Sequence, residues 1–309
     1  MSPAPIFRFY INVSQSFPWP ANSRPSKEAT QIWGQSEGIS TTLEHLRQDE
    51  RQRAVQFYNI PDASRCLGSY LLKHLAIMRG CNVPWSKSTI TQERTIRNGK
   101  PFYAAAAPPG GTSLDFNVSH HGNFVVCVGS TVLGAKVGID IVQVDVEKDS
   151  RRMGDRGFAG WVDNFTDVLS GREKAQAVEV ARREGVPAGL RMFYTIWSCK
   201  EAYIKMTSDA LMATYLKGLS FPGLRVPEAS GATWGEPITT DVVVQGKSID
   251  NARIELVALG KDYIVATATN QPDDLPVFEI VKISDDGSAL ECFADGDTDS
   301  ASQTYSLDT

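Results

Sequence analysis

The chain has 309 residues, 42% hydrophobic and 22% charged, enough apolar material for one large domain or two modest ones. Its formal charge of −5 is unevenly spread: from Ser284 onward there are seven acids and no Lys or Arg, which leaves about +2 for residues 1–283. A nearly balanced body excludes the broad basic face of a nucleic-acid binder, and no apolar run reaches membrane-spanning length.

Phe7–Val13 alternates as an opening strand, followed by a Pro/Ser-rich loop through Lys27. Helices are expected at roughly Thr41–Tyr58 and Ala63–Arg79. The second has Asp62 as N-cap, Gly80 as stop, and an apolar stripe of Leu67, Leu71, Leu75 and Met78. Leu114–Val118 and Phe124–Gly129 read as strands on either side of the polar turn Ser119-His120-His121-Gly122-Asn123. With Val137–Val144 they predict a small antiparallel unit at the centre of the chain. A polar helix over about Val162–Arg183 precedes the strongest helix, about Leu190–Met206. Strands at Val242–Val244, Arg253–Leu259, Tyr263–Ala268 and Val277–Ile283 follow, the middle pair joined by the hairpin signal Gly260-Lys261-Asp262. Helices then strands, twice over, predict an α+β fold in two similarly built halves, with no internal sequence repeat visible. The expected divisions are an N-terminal lobe over 1–135, a C-terminal lobe over 136–283 and an acidic disordered tail over 284–309. Five scattered cysteines without a CxxC pair predict reduced thiols, and the N-terminus lacks the apolar core of a signal peptide. A soluble cytoplasmic protein is expected.

Several residues suggest chemistry. In the Val137–Val144 segment Gly138, Asp140 and Val142 share one face of the strand, and Ile139 and Ile141 the other. Aspartate is depleted inside strands, so Asp140 is either a solvent-facing acid near a hairpin end or a metal ligand. Gly138 beside it leaves room for close approach. Glu201 and Lys205 lie one turn apart beside the apolar stripe of Phe193, Ile196, Trp197, Tyr203 and Ile204. Taken alone they read as a surface pair worth roughly 0.3–0.5 kcal/mol. Adjacent His120 and His121 point apart on extended backbone, and no third histidine is near enough to suggest zinc. Asn117, Ser119 and His120 either donate to phosphate oxygens or form a capped polar turn. Arg94, Arg97 and Lys100 surround a tight turn that suits phosphate or, more commonly, open solvent, and Arg53 reads as a surface residue of a charged helix.

Phe116-Asn117-Val118-Ser119-His120, Val137-Gly138-Ile139-Asp140 and Trp197-x-x-Lys200-Glu201-Ala202-x-x-Lys205, taken together and in this order, resemble the 4′-phosphopantetheinyl transferases of the broad-specificity, two-lobed type. Gly99-Lys100-Pro101-Phe102 is similar to a further motif of that family. Phe193-Tyr194 and Lys205-Met206-Thr207 are most like fungal members that activate polyketide, non-ribosomal peptide and lysine-pathway enzymes. The likeness spans roughly residues 40–225. It implies two pseudo-twofold-related lobes with small antiparallel sheets and an active site at the lobe interface. It also implies a reaction: the 4′-phosphopantetheine arm of coenzyme A passes to a serine of an apo carrier protein domain, releasing adenosine 3′,5′-bisphosphate. The carriers belong to fatty acid synthase, polyketide synthase, non-ribosomal peptide synthetase or aminoadipate reductase.

By the same resemblance, Asp140 and Glu201 are expected to bind Mg²⁺ on the pyrophosphate. Glu201 is expected to activate the carrier serine, directly or through a metal-bound water, and Lys205 to neutralise charge on the pyrophosphate and leaving group, with Lys200 as a neighbouring contact. Asn117, Ser119 and His120 are expected at the coenzyme's phosphates, His120 on the 3′-phosphate, with Arg53, Arg94 and Lys100 as further contacts. A monomer is implied. One position departs from the pattern: some relatives carry a second acid where this chain has Val142, so water or a group such as His121 is expected to complete the metal's shell. Two other readings stay open: another Mg²⁺-dependent transferase with a nucleotide-containing donor, and a catalytically silent coenzyme A-binding protein. The intact Asp140, Glu201 and Lys205 weigh against the silent protein.

Overall fold

The computed structural model describes residues 5–92, 99–105, 114–209, 215–228, 231, 234–294 and 303–307. The first part runs β1 (Ile6–Asn12), α1 (Val13–Ser16), α2 (Lys27–Gly34), α3 (Ile39–Glu44), α4 (Gln48–Val55), α5 (Ile60–Cys81), β2 (Asp115–His121) and β3 (Phe124–Ser130). Then come β4 (Val137–Gln143), α6 (Val146–Met153), α7 (Gly157–Val162), α8 (Gly171–Glu184), α9 (Val186–Thr207) and β5 (Leu219–Ser220). The chain closes with β6 (Ile238–Val244), β7 (Lys247–Leu259), β8 (Tyr263–Thr269), β9 (Phe278–Ile283), β10 (Ala289–Phe293) and β11 (Gln303–Ser306). The expected α+β, two-lobed organisation is what the chain adopts. One unit comprises Met1–Ala135 with Asp274–Thr309, the other Lys136–Asp273.

The first unit is built on a six-stranded sheet ordered β11-β10-β9-β1-β3-β2, antiparallel except where β9 lies parallel to β1. Helix α5 covers the sheet face that carries Phe7, Phe9, Ile11, Val125 and Cys127, all buried. It starts where the Asn59 side chain accepts from the Asp62 amide, with Pro61 in the first turn, and stops at Asn82 in the left-handed region. The residues expected as a disordered tail instead supply β10 and β11. Leu290, Cys292, Tyr305 and Leu307 are buried in this core. Of the acids that suggested disorder, those described lie at a turn, where Asp286 accepts from Ser284 Oγ and from Ser288 N and Oγ, or on β10, where Glu291 alternates with buried Leu290 and Cys292. Residues 274–283, expected in the second lobe, belong to this unit through the β1–β9 pairing and the Arg79–Glu279 ion pair at 2.9 Å.

Other boundaries shift for local reasons. The helix expected over 41–58 is two helices, α4 beginning where the Arg47 amide donates to Glu50 Oε2 at 3.2 Å. Helix α2 forms in the segment after the Pro/Ser-rich loop because Ser26 caps it, accepting from the Ala29 amide. The histidines are not in a turn. A two-residue connection, Gly122-Asn123, with Gly122 at φ +56°, lets pairing continue to His121 opposite Phe124.

The second unit has a five-stranded antiparallel sheet ordered β4-β8-β7-β6-β5. Strand β4 pairs with β8, so the central antiparallel unit expected from the sequence is divided: β2 and β3 belong to one sheet and β4 to the other. Helix α9 packs along β4 and β8, and Phe193 on α9 meets Trp161 and Phe165 with ring centroids 4.7 and 4.8 Å apart. No helix among the described residues is long and apolar enough to cross a membrane.

Glu50 is the most deeply committed acid of the first unit. Its carboxylate is 1% exposed, receives Arg47 Nη2 at 2.8 Å, and lies 3.1 Å from His74 Nε2, whose Nδ1 meets Ser88 Oγ at 2.7 Å. Burial pushes the Glu50 carboxyl up, but His74 and then Arg47 outweigh it and hold it at about 2. A depressed carboxyl contributes stability that is present above its unfolded value of 4.5 and lost as the pH falls toward 2. Glu50→Gln should therefore cost on the order of 3 kcal/mol in urea unfolding at pH 7. The variant should also show a flatter loss of stability than the parent between pH 4.5 and 2. Equal urea midpoints at pH 7 would contradict this.

Candidate functional site

The second unit brings three of the sequence's candidates together. Strand β4 is buried at every position but Gln143, and its Gly138–Asp140 face looks at α9. A Cβ on Gly138 would lie 2.2 Å from the Ala202 carbonyl oxygen and 2.3 Å from the Met206 amide nitrogen, so only glycine admits this approach. The approach sets Asp140 Oδ1 2.6 Å from Lys205 Nζ, with Glu201 Oε2 4.0 Å from the same ammonium. The Asp140, Glu201 and Lys205 side chains are 8%, 17% and 27% exposed, so the cluster is shielded but reachable.

Burial pushes the Glu201 carboxyl up to about 7, with Lys205 opposing the rise and Asp140 adding to it. Such a group takes and gives a proton near neutral pH. With both acids ionised the cluster carries one net negative charge, which favours a cation. Among the described residues no group of three or more His, Cys, Asp or Glu side chains is arranged to hold a metal ion. Val142, the position of the missing acid, is 4% exposed within the apolar cluster of this unit.

Lys200 takes no part in this cluster. It is 1% exposed on another side of α9, 3.0 Å from Glu173 Oε1, and donates at 2.7 Å to the carbonyls of both Leu216 and Leu219. Glu173, which sequence reasoning missed, also accepts from the Ser170 amide at the start of α8. Its only signal was the Ser-x-x-Glu capping pattern. The expected cofactor contact at Lys200 is thus a buried tie joining α9, α8 and the lead into β5. The neighbouring cavity of about 540 Å³, lined by Arg172, Glu173, Ile196, Phe221 and Leu224 among others, includes none of Asp140, Glu201 or Lys205.

In the first unit the candidates separate. Lys100 forms a buried ion pair with Asp115 at 2.6 Å, a partner that sequence reasoning missed. Asn117 and Ser119 are buried on one face of β2, while His120 is exposed on the other, beside Val118 and opposite Val125. His121 shares the Asn117 and Ser119 face. Arg53 is exposed on α4, with its charge acting on Tyr70. Arg94 lies outside the described residues.

Residues 33–132 match the family described as 4′-phosphopantetheinyl transferase, N-terminal, and residues 136–268 match the 4′-phosphopantetheinyl transferase superfamily. The chain is 34% identical to 4′-phosphopantetheinyl transferase A of Aspergillus fumigatus, over 73% of this chain and 77% of the relative. It is 32% identical to 4′-phosphopantetheinyl transferase NpgA of Emericella nidulans, over 73% and 76%. It is also 24% identical to the human L-aminoadipate-semialdehyde dehydrogenase-phosphopantetheinyl transferase, over 74% and 68%.

Two variants test the construction of this unit. Lys200→Met should cost roughly 3–5 kcal/mol, because it leaves Glu173 buried without its cation. The double variant Lys200→Met/Glu173→Gln should fall short of the summed single losses by more than about 1 kcal/mol. Additive losses in chemical denaturation would show that the pair is not coupled. Gly138→Ala should cost at least about 1–3 kcal/mol in the same assay, since its methyl meets backbone atoms rather than a side chain that can turn away.

Proposed function

The chain belongs to the 4′-phosphopantetheinyl transferase superfamily and transfers 4′-phosphopantetheine to carrier proteins, and from that premise we propose that Asp140, Glu201 and Lys205 are its catalytic centre, with coenzyme A as donor and Mg²⁺ as metal. The observation that carries this is the placement of one ammonium beside two shielded carboxylates, 2.6 Å from Asp140 and 4.0 Å from Glu201. The chemistry of the donor set fits Mg²⁺: two carboxylates would supply hard oxygen ligands and leave positions for water and phosphate oxygens. When bound there, Mg²⁺ would neutralise charge on the donor's pyrophosphate.

The chain's own groups then have distinct tasks. Asp140 and Glu201 would hold the metal, and Lys205 offsets the charge that develops on the leaving adenosine 3′,5′-bisphosphate. Glu201, directly or through a water, receives the proton of the carrier serine as its Oγ bonds to the phosphorus and the pyrophosphate P–O bond breaks. Asn117, Ser119, His120 and Arg53 are the proposed contacts to the donor's phosphates in this account. Lys100 and Lys200 are assigned to structure instead, because each is buried against an acid. Carriers of fatty acid, polyketide, non-ribosomal peptide and lysine-pathway enzymes are the proposed acceptors, the last supported by the name of the human relative. Five free cysteines support a reducing compartment such as the cytoplasm.

Incubation with Mg²⁺, coenzyme A and an apo carrier should add one phosphopantetheine to the carrier, read by mass spectrometry. EDTA should stop the reaction and Mg²⁺ restore it. Asp140→Ala, Glu201→Gln and Lys205→Ala should each lose at least about tenfold in rate, some 1.4 kcal/mol of barrier. Parental rates in all three would place the centre elsewhere.

A further inference from the structure

The cavity beside the Lys200–Glu173 tie has no part in the proposed chemistry, and its walls are of two kinds. Its volume is about 540 Å³, inside the roughly 300–1,000 Å³ of ordinary small-molecule sites. One wall is apolar: Ile196 of α9 with Phe221 and Leu224 from the turn after β5, where the Leu224 amide donates to the Phe221 carbonyl at 3.2 Å. Ile196 and Phe221 are buried and Leu224 is half-buried. The other wall is polar. The first two turns of α8 contribute Arg172 and Gln176, and β5 contributes Ser220.

The charges of this lining do not cancel. Among the described residues that line the cavity Glu173 is the one acid, and Lys200 offsets it at 3.0 Å. On the same helix Lys174 is paired with Asp163 at 2.8 Å and Arg182 with Glu179 at 2.7 Å. Arg172 is exposed and has no acid within ion-pair distance among the described residues. Neither Gln176 nor Ser220 has a side-chain hydrogen bond among them. One uncompensated guanidinium therefore stands at the polar wall, and the positive end of the α8 dipole adds to its attraction for an anion. A guanidinium takes a carboxylate through two parallel N–H donors. A single charge is balanced by one carboxylate, whereas a phosphate monoester would bring nearly two. The apolar wall asks for a hydrocarbon or aryl body on the same molecule.

We propose that this cavity binds a small amphipathic monocarboxylate. Its carboxylate meets Arg172, with Gln176 and Ser220 as further hydrogen-bonding groups, and its apolar body packs against Ile196, Phe221 and Leu224. The site is separate from the proposed catalytic centre, because none of Asp140, Glu201 or Lys205 lines it, and it does not depend on the functional reading.

The test uses octanoate and 4-phenylbutyrate as probes, titrated into the full chain carrying ¹³C-labelled Ile and Leu methyl groups. At least one of them should shift the Ile196 and Leu224 resonances saturably, with a dissociation constant below about 1 mM. Octylammonium and 1-octanol should bind about tenfold more weakly than the carboxylate, and Arg172→Gln should weaken the carboxylate by a similar factor. The same variant should leave 1-octanol within twofold of its parental affinity and transfer phosphopantetheine at the parental rate. Leu224→Trp, with its circular dichroism unchanged, should fill the cavity and abolish the shift at Ile196. If that variant does not fold, the exposed Arg172 still decides the question. Absence of saturable shifts with both carboxylates up to about 5 mM would overturn the inference. So would equal affinity for octanoate and octylammonium, carboxylate binding indifferent to Arg172→Gln, or parental binding by a folded Leu224→Trp chain.

Discussion

The contact between β4 and α9 at Gly138 governs the second unit. A glycine with backbone atoms of the helix where its Cβ would be lets a buried strand run against a helix at main-chain distance. Two residues on, the same strand face presents Asp140, and the facing turn of the helix presents Lys205 with Glu201 one turn before it. Any side chain at Gly138 would hold the two elements apart and lengthen the 2.6 Å contact. Burial of β4 and the aromatic packing of Phe193 with Trp161 and Phe165 hold the helix to this approach. The low exposure that brings Glu201 to about 7 follows from the same closeness.

Helical geometry then decides why two lysines of one motif have different fates. Lys200 and Lys205 are five residues apart, which turns them by about 140° around the axis. Lys205 is consequently beside Asp140 while Lys200 enters the seam between α8 and β5, where Glu173 and two carbonyls satisfy three donors of its ammonium. Glu201, one residue after Lys200, is rotated enough to leave that seam and approach Lys205. A buried lysine tied to an acid and two carbonyls at the adjoining position anchors the backbone that carries Glu201.

Much of this was legible in the sequence, and the failures have physical causes. The 3.6-residue pattern of α9 and the odd placement of Asp140 in an apolar strand both marked positions where the structure gathers charge. Periodicity assigns a residue to a face but does not name what lies opposite. Glu173 and Asp115 come from other segments, so Lys200 and Lys100 could not be recognised as buried partners without the tertiary fold. The C-terminal strands were obscured because acids dominate the composition of the segment, although Leu290 and Cys292 alternate inward. The division of the central strands was hidden because pairing of β4 with β8 spans more than a hundred residues of chain that hydrophobic pattern cannot count across.

Val142 bears on how the proposed centre would assemble. It shares its strand face with Asp140, yet it is packed in the apolar cluster, so an ionised carboxylate there would have to be desolvated. The chain therefore offers two acids, and Lys205 already offsets part of their charge. A divalent ion held by so few protein ligands draws its remaining coordination from water and from the phosphates of a bound donor. Metal and donor are then linked ligands: each supplies charge or oxygen atoms that the other needs, so each raises the other's affinity by the same factor. A centre built as proposed would keep little affinity for the metal alone and would complete its electrostatic site only with the donor in place.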